Sequence, residues 1–135
     1  RDIASHFDWV HSVDRLKVAR RLSEQREPDL PPLNVCLQVN VDDEASKSGV
    51  PLAGVAELAE QIEALPNLRL RGLMAIPRAD NDDGNRGAFR QLAMTLSQLR
   101  NTMPGLDTLS MGMSADYAVA IEEGATVIRL GTALF

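Results

Sequence analysis

Apolar residues along the chain follow two spacings, one typical of buried strands and one typical of amphipathic helices. Short runs of β-branched and aliphatic residues predict five strands, at residues 7–14, 33–41, 68–76, 107–113 and 125–135. Between these runs, apolar residues recur every three or four positions, which predicts helices that bury one face. The predicted helices cover residues 15–26, 51–65, 89–103 and 115–123.

Capping and turn residues mark the predicted boundaries of these helices. Asp14 is a candidate N-cap for the first helix, and Pro51 suits the first turn of the second. Ser114 is a candidate N-cap for the short last helix, and Gly124 is the glycine expected just beyond its end. The polar stretch 78–86 has the composition of a loop.

The order of the elements predicts the fold class. Strands that alternate with helices through short links indicate an α/β protein with a parallel sheet. Two architectures fit, an open doubly wound sheet and a (β/α)8 barrel, and five βα units fall short of the eight that a barrel needs. No G-x-G-x-x-G follows a strand and no P-loop sequence occurs, so the commonest nucleotide-binding signatures of open sheets are absent. Because the chain lacks an initiator Met and begins in a helix-like segment, we expect it to be part of a longer polypeptide.

Composition and charge narrow the possible partners. The 135 residues suffice for one domain, and the net charge of −5 argues against nucleic acid and anionic membranes as partners. Cys36 is the single cysteine, which excludes an internal disulfide and favours a reducing, cytoplasmic location. No stretch is apolar and long enough to cross a bilayer. His6 and His11 lack the pattern of a metal site, so structural roles are favoured for both and no metal is expected.

Glycine and hydroxyl residues follow the last two predicted strands. Ser110, Gly112 and Ser114 lie at the exit of the fourth strand, and Gly131 and Thr132 lie at the exit of the fifth. Hydroxyls and the N–H groups of a helix start favour an anion, and the loops after the last two strands of a barrel are a recurrent phosphate site. The sequence therefore predicts a phosphate site at these exits. The structural alternative is that the glycines only serve turns and Ser114 only caps its helix.

Arg129 lies two residues before Gly131 on the same predicted strand. Residues two apart share a face of a strand, so its side chain is expected at the mouth of the same site. Arginine does not lose its proton, so it would hold a fixed positive charge beside the ring of a phosphorylated ligand. A surface or salt-bridged arginine is the alternative.

Several separated motifs, in order, resemble the pyridoxal-phosphate homeostasis proteins (the YggS/PROSC type). The resemblance covers nearly the whole chain. The segments that carry it are FDWVHSVDRLKVARRL, PPLNVCLQVNV, LQVNVDDEASKSGV, LRLRGLMAIP, SMGMSADYAVAI and VIRLGTALF.

This resemblance implies a fold and a role. The family is a single-domain (β/α)8 barrel, akin to the N-terminal barrel domain of alanine racemase, that binds pyridoxal 5′-phosphate. It is implicated in buffering or carrying that cofactor and in vitamin B6 and amino-acid balance, without an established catalytic turnover. Residues 1–135 would be the C-terminal portion of the barrel domain, with its fourth to eighth strands, and the first three strands would be missing.

The resemblance also assigns residues to the cofactor. It implies that Arg129 faces the pyridine nitrogen and that Asn40 and Met74 line the ring. The phosphate would be held by the residues of the two strand exits, namely Ser110, Gly112, Met113, Ser114, Gly131 and Thr132. The Schiff-base lysine of the family belongs to the first barrel strand, so no catalytic residue is expected in this chain.

Two other functions stay open. An amino-acid racemase that uses the same cofactor would need an opposing acid–base residue, and Tyr117, the only tyrosine, is placed poorly for it on the phosphate-side helix. A phosphate-binding barrel enzyme without this cofactor would need carboxylates at strand ends, where the chain offers few. We expect the full-length protein to be a monomer, and the chain alone to self-associate through exposed sheet edges.

Overall fold

Strands and helices alternate in the computed structural model, which describes residues 7–41, 49–77, 84–113 and 115–128. A 3-10 turn, Leu52–Gly54, precedes the second helix. The elements are β1 (Trp9–Val13), α1 (Leu16–Gln25), β2 (Leu33–Asn40), β3 (Val50–Pro51), α2 (Val55–Glu63), β4 (Leu68–Met74), α3 (Arg86–Leu99), β5 (Thr108–Ser110) and α4 (Tyr117–Glu122).

The strands form one parallel sheet in the order β1-β2-β4-β5, and the short β3 pairs with the end of β2. Beyond β5, Val127 pairs in parallel with Ser110, so the chain that follows α4 continues the sheet on that side. The predicted α/β class with a parallel sheet is therefore confirmed. Of the predicted strand 125–135, residues 129–135 lie outside the described residues.

The core lies between the sheet and its helices. On β2, Leu33, Val35, Leu37 and Val39 alternate along the strand and are buried. The predicted apolar stripes of the helices join them in one cluster, as confirmed by the buried residues Ala19, Leu22, Val55, Leu58, Ala59, Ile62, Phe89, Leu92, Leu96 and Leu99. The alternation leaves Asn34, Cys36, Gln38 and Asn40 on the other face of β2.

That other face is concave. His11 on β1 and Ser110 on β5 are 2.9 Å apart between Nδ1 and Oγ, although β2 and β4 separate their strands. Three strand spacings on a flat sheet would be about 14 Å, too far for two side chains to bridge. The sheet therefore curls toward this face, as the wall of a barrel does.

Two predicted helix starts are wrong because the candidate residues have other partners. Asp14 does not cap α1; its Oδ2 accepts a hydrogen bond from Gly49 N–H at 3.2 Å, and Arg15 is the N-cap. Pro51 has extended backbone and pairs with β2, so the 3-10 turn begins only after it, at Leu52, and α2 follows from Val55.

A third wrong start is that of α4. It begins at Tyr117 with Asp116 as N-cap, not at residue 115 behind Ser114. β5 is likewise shorter than the predicted strand 107–113. Gly124 does follow the end of α4 with a left-handed φ of 108°, as predicted.

Candidate functional site

Three of the predicted site residues end neighbouring strands. Asn40, Met74 and Ser110 are the last residues of β2, β4 and β5. Met74 is paired with Ser110 on one side and with Gln38 on the other. Asn40, Met74 and Ser110 therefore lie together at the carboxyl-terminal end of the sheet, and the contacts assigned to them stay predictions.

The strand after α4 starts beside β5, as the predicted pair of strand exits requires. Met111 N–H donates to Val127 C=O at 3.0 Å, and Thr126 Oγ1 accepts from Leu109 N–H at 2.8 Å. Val127 therefore lies next to the end of β5. The predicted site residues Ser114, Arg129, Gly131 and Thr132 lie outside the described residues.

Gly112 has a packing reason to be glycine. Its φ is 103°, and a Cβ there would lie 2.6 Å from Ala120 Cβ and 3.2 Å from Ile128 Cγ2. The space that its missing side chain leaves is therefore taken by α4 and by Ile128. This space does not admit a ligand. Gly112 can therefore contact a ligand only through its backbone.

The carboxylate of Asp116 holds the loop after β5 in place through hydrogen bonds. Met113 N–H donates to Asp116 Oδ1 at 2.8 Å, and Asn85 Nδ2 donates to Asp116 Oδ2 at 2.7 Å. Asn85 is buried just before α3, so this chain of bonds fixes the loop to the neighbouring helix. Asp116 is the N-cap residue of α4, and its carboxylate binds the loop and Asn85. The Met113 side chain is 41% exposed at this edge.

His11 is a site residue that the sequence reasoning missed. Its ring contacts Ser110, one of the residues predicted to hold a phosphate. Structural roles were favoured because no metal or catalytic pattern surrounds His11 in the sequence. The bond joins residues 99 positions apart and depends on the curl of the sheet, so no local pattern could have indicated it.

Cys36 lies on the concave face, but its thiol is unreactive. It is fully buried, and burial raises the pKa of its thiol to about 12, while the nearby Arg71 opposes this shift. A thiol of that kind is not a nucleophile at neutral pH. The described residues hold no group of three or more His, Cys, Asp or Glu side chains placed to bind a metal ion. Within the same residues, none of the helices is long and apolar enough to span a membrane.

Comparison with known proteins places the chain in a family. All of it, residues 1–135, matches the family model described as alanine racemase, N-terminal domain. The pyridoxal phosphate homeostasis protein of Pseudomonas aeruginosa is 61% identical over 136 residues, and the one of Escherichia coli K12 is 50% identical. The chain spans 58% of the length of each of these two relatives.

Solved structures agree with this placement. PipY of Synechococcus elongatus without PLP is 35% identical with a TM-score of 0.84, and its PLP-bound structure is 34% identical with a TM-score of 0.81. Both comparisons cover 98% of this chain and 63% of PipY. Alanine racemase from Corynebacterium glutamicum, at 14% identity, shares the fold with a TM-score of 0.69 over 94% of this chain and 35% of the racemase.

The parallel sheet, its outer helices and its concave inner face define an α/β protein of the (β/α)8-barrel class. The chain belongs to the alanine racemase N-terminal domain family. The resemblance to the pyridoxal phosphate homeostasis proteins that the sequence motifs indicated is confirmed.

Proposed function

We propose that the protein binds pyridoxal 5′-phosphate and serves the homeostasis of this cofactor in the cytoplasm, as a carrier or buffer. The observation that carries the proposal is the match of the whole chain, at 61% identity, to a relative named pyridoxal phosphate homeostasis protein. The PLP-bound structure of PipY supports the choice of ligand. In this proposal residues 1–135 form the C-terminal portion of one barrel domain.

Two groups of the described part of the site support the choice of a phosphate. Ser110 supplies a hydroxyl at the strand end. In the loop after it, the Met113 N–H binds an anionic oxygen, the Asp116 carboxylate. A phosphate offers oxygens of the same kind.

We assign the remaining residues as the resemblance implies. Ser110 and the backbone of residues 112–114 hold the phosphate together with Gly131 and Thr132. Asn40 and Met74 line the ring, and Arg129 faces the pyridine nitrogen. Arginine is always protonated and keeps that nitrogen unprotonated, so the ring is a weak electron sink. This electronic setting suits a carrier better than an enzyme that must stabilise a carbanion.

A titration of the complete gene product with the cofactor tests the proposal. We expect saturable binding with a new band in the visible absorption spectrum. Reduction with borohydride should then attach the cofactor covalently to the protein. Pyridoxal, which lacks the phosphate, is the matched control ligand and should bind at least tenfold more weakly, since several charge-assisted hydrogen bonds are lost. A spectrum that does not change on addition of cofactor contradicts the proposal and favours a phosphate-binding enzyme of another kind.

The racemase alternative is separated by isotope exchange. A carrier should not exchange the α-proton of alanine in deuterated water, whereas a racemase exchanges it rapidly. Tyr117, the tyrosine considered for the opposing acid–base role, begins α4 and is 44% exposed. Rapid exchange by the cofactor-loaded protein would exclude the carrier function.

A further inference from the structure

The pair of His11 and Ser110 joins the two sides of the concave face. His11 Nδ1 and Ser110 Oγ are 2.9 Å apart, within hydrogen-bond distance. Ser110 is fully buried, whereas His11 is partly buried. The hydroxyl at the end of β5 is therefore oriented by a side chain that comes from β1.

The ring of His11 is itself held in place from the amino side of the strands. Trp9, two residues earlier on β1, packs against it with ring centroids 5.7 Å apart and a tilt of 60°. Arg71 stacks over Trp9 at 4.7 Å and pairs with both carboxylate oxygens of Asp107, the residue before β5. These contacts run from β5 through β4 to β1 and back to β5, so the orientation of the His11 ring is set by packing.

Counting protons fixes the direction of the hydrogen bond if Ser110 serves a phosphate. A hydroxyl has one proton to donate, and the oxygens of a phosphate monoester at neutral pH act mainly as acceptors. If Ser110 gives its proton to the phosphate, its oxygen must accept from His11, whose Nδ1 then carries a hydrogen. The opposite tautomer would take the serine proton and leave the phosphate facing a lone pair.

We propose that His11 is a positioning residue that donates Nδ1–H to Ser110 Oγ and so directs the serine hydroxyl onto the phosphate of the bound cofactor. This inference rests on the proposed function and adds a residue to its site. It makes the preference for a phosphorylated ligand depend on β1 as well as on the two strand exits.

Two variants of His11 in the complete gene product test the proposal. His11→Leu removes the donor and is expected to weaken PLP binding about tenfold, while pyridoxal binding changes little. His11→Asn keeps an N–H donor near the place of Nδ1 and should restore most of the loss. His11→Leu combined with Ser110→Ala should bind PLP no more weakly than Ser110→Ala alone, because both changes remove the same interaction.

Asn67→Gly is the matched control. Asn67 lies before β4, at the opposite end of the strands, where its amide donates to Ser23 C=O. Its φ of 66° is one that glycine adopts freely, so the variant removes only the side chain. It should lower stability without changing the ratio of PLP to pyridoxal affinity.

The tautomer of His11 can also be measured directly in the wild-type protein. In ¹⁵N spectra of labelled histidine, with inorganic phosphate or PLP bound, His11 should carry its proton on Nδ1; His11→Asn serves to assign the signal. A His11 protonated only on Nε2, or a His11→Leu protein that binds PLP as tightly as wild type, overturns the inference and leaves the proposed function standing. Failure of the wild-type protein to bind PLP overturns both.

Discussion

Arg71 connects three strands at the amino side of the concave face. Its guanidinium group donates to Asp107 at 3.0 and 2.6 Å and to Asn34 Oδ1 at 3.1 Å, and it stacks over Trp9. The side-chain hydrogen bond with Arg71 is the main reason that the pKa of Asp107 is lowered from its ordinary value. One residue thus braces the face whose opposite end carries the candidate site.

We predict that Asp107→Asn lowers the free energy of unfolding by about 1 kcal/mol at pH 7, since the carboxylate is half exposed and the pair is partly screened by solvent. The folded-state pKa lies below the unfolded one, so the pair stabilises the protein above pH ~4 and loses its effect as the pH falls through the lowered pKa. Urea denaturation of both proteins at neutral and acid pH measures this, and the two curves should converge in acid.

Asp29→Asn controls for the loss of a charge, since Asp29 is an exposed carboxylate in the loop after α1. A difference between wild type and Asp107→Asn that stays constant with pH would show that the ion pair is not its source.

At the level of single residues, the sequence predicted where a site residue lies on its strand but not which side chains it contacts. Ser110 could be assigned to a strand exit because the carboxyl ends of parallel strands lie together. His11 could not be linked to Ser110, since their contact needs the sheet to curl. The reason for Gly112 was also hidden, because it lies in the packing of Ala120.

Pairing of β4 with β5 requires a residue without a side chain at position 72. Gly72 is in register with Thr108, and a Cβ on it would lie 1.7 Å from Thr108 O and 2.7 Å from Thr108 C. Both contacts are with backbone atoms, which cannot turn away as a flexible side chain could. β4 and β5 can therefore approach this closely only because residue 72 is glycine.

We predict that Gly72→Ala destabilises the protein by about 3 kcal/mol or more, or prevents folding, because β5 must shift to admit the methyl group. Gly105→Ala is the matched control: a Cβ there meets nothing within 4 Å, so its effect should stay within about 1 kcal/mol of zero. Far-UV circular dichroism and urea denaturation compare the two. Equal stability of the two variants would contradict the close approach of β4 and β5.

For whole elements, the hydrophobic pattern predicted the buried faces of helices and strands well and the starts of the helices poorly. The helix stripes and the alternation on β2 follow from one buried face, which the sequence displays directly. The helix starts predicted at Asp14 and Pro51 were wrong because the capping signal competes with tertiary partners. Asp14 binds Gly49 and Pro51 joins the sheet, and neither partner is close in sequence.

For the molecule as a whole, the edge of the sheet at β1 is the feature with the clearest consequence. Among the described strands, β1 pairs only with β2. Phe7 and Trp9 at this edge are 57% and 37% exposed. A strand edge next to exposed aromatic side chains is a template for pairing with another chain. Relatives of this chain are longer, since it covers 58% of their length.

We therefore predict that the 135-residue chain, expressed alone, self-associates through β1, whereas the complete gene product is monomeric. Ser12→Lys places a charge on the exposed side of β1 and should shift the chain toward monomer, as edge lysines do in natural sheets. Gln61→Lys adds the same charge on the exposed side of α2 and should leave association unchanged. Sedimentation velocity over a range of concentrations measures both. A chain that stays monomeric at high concentration, or one that both lysines dissociate equally, would show that this edge does not drive association.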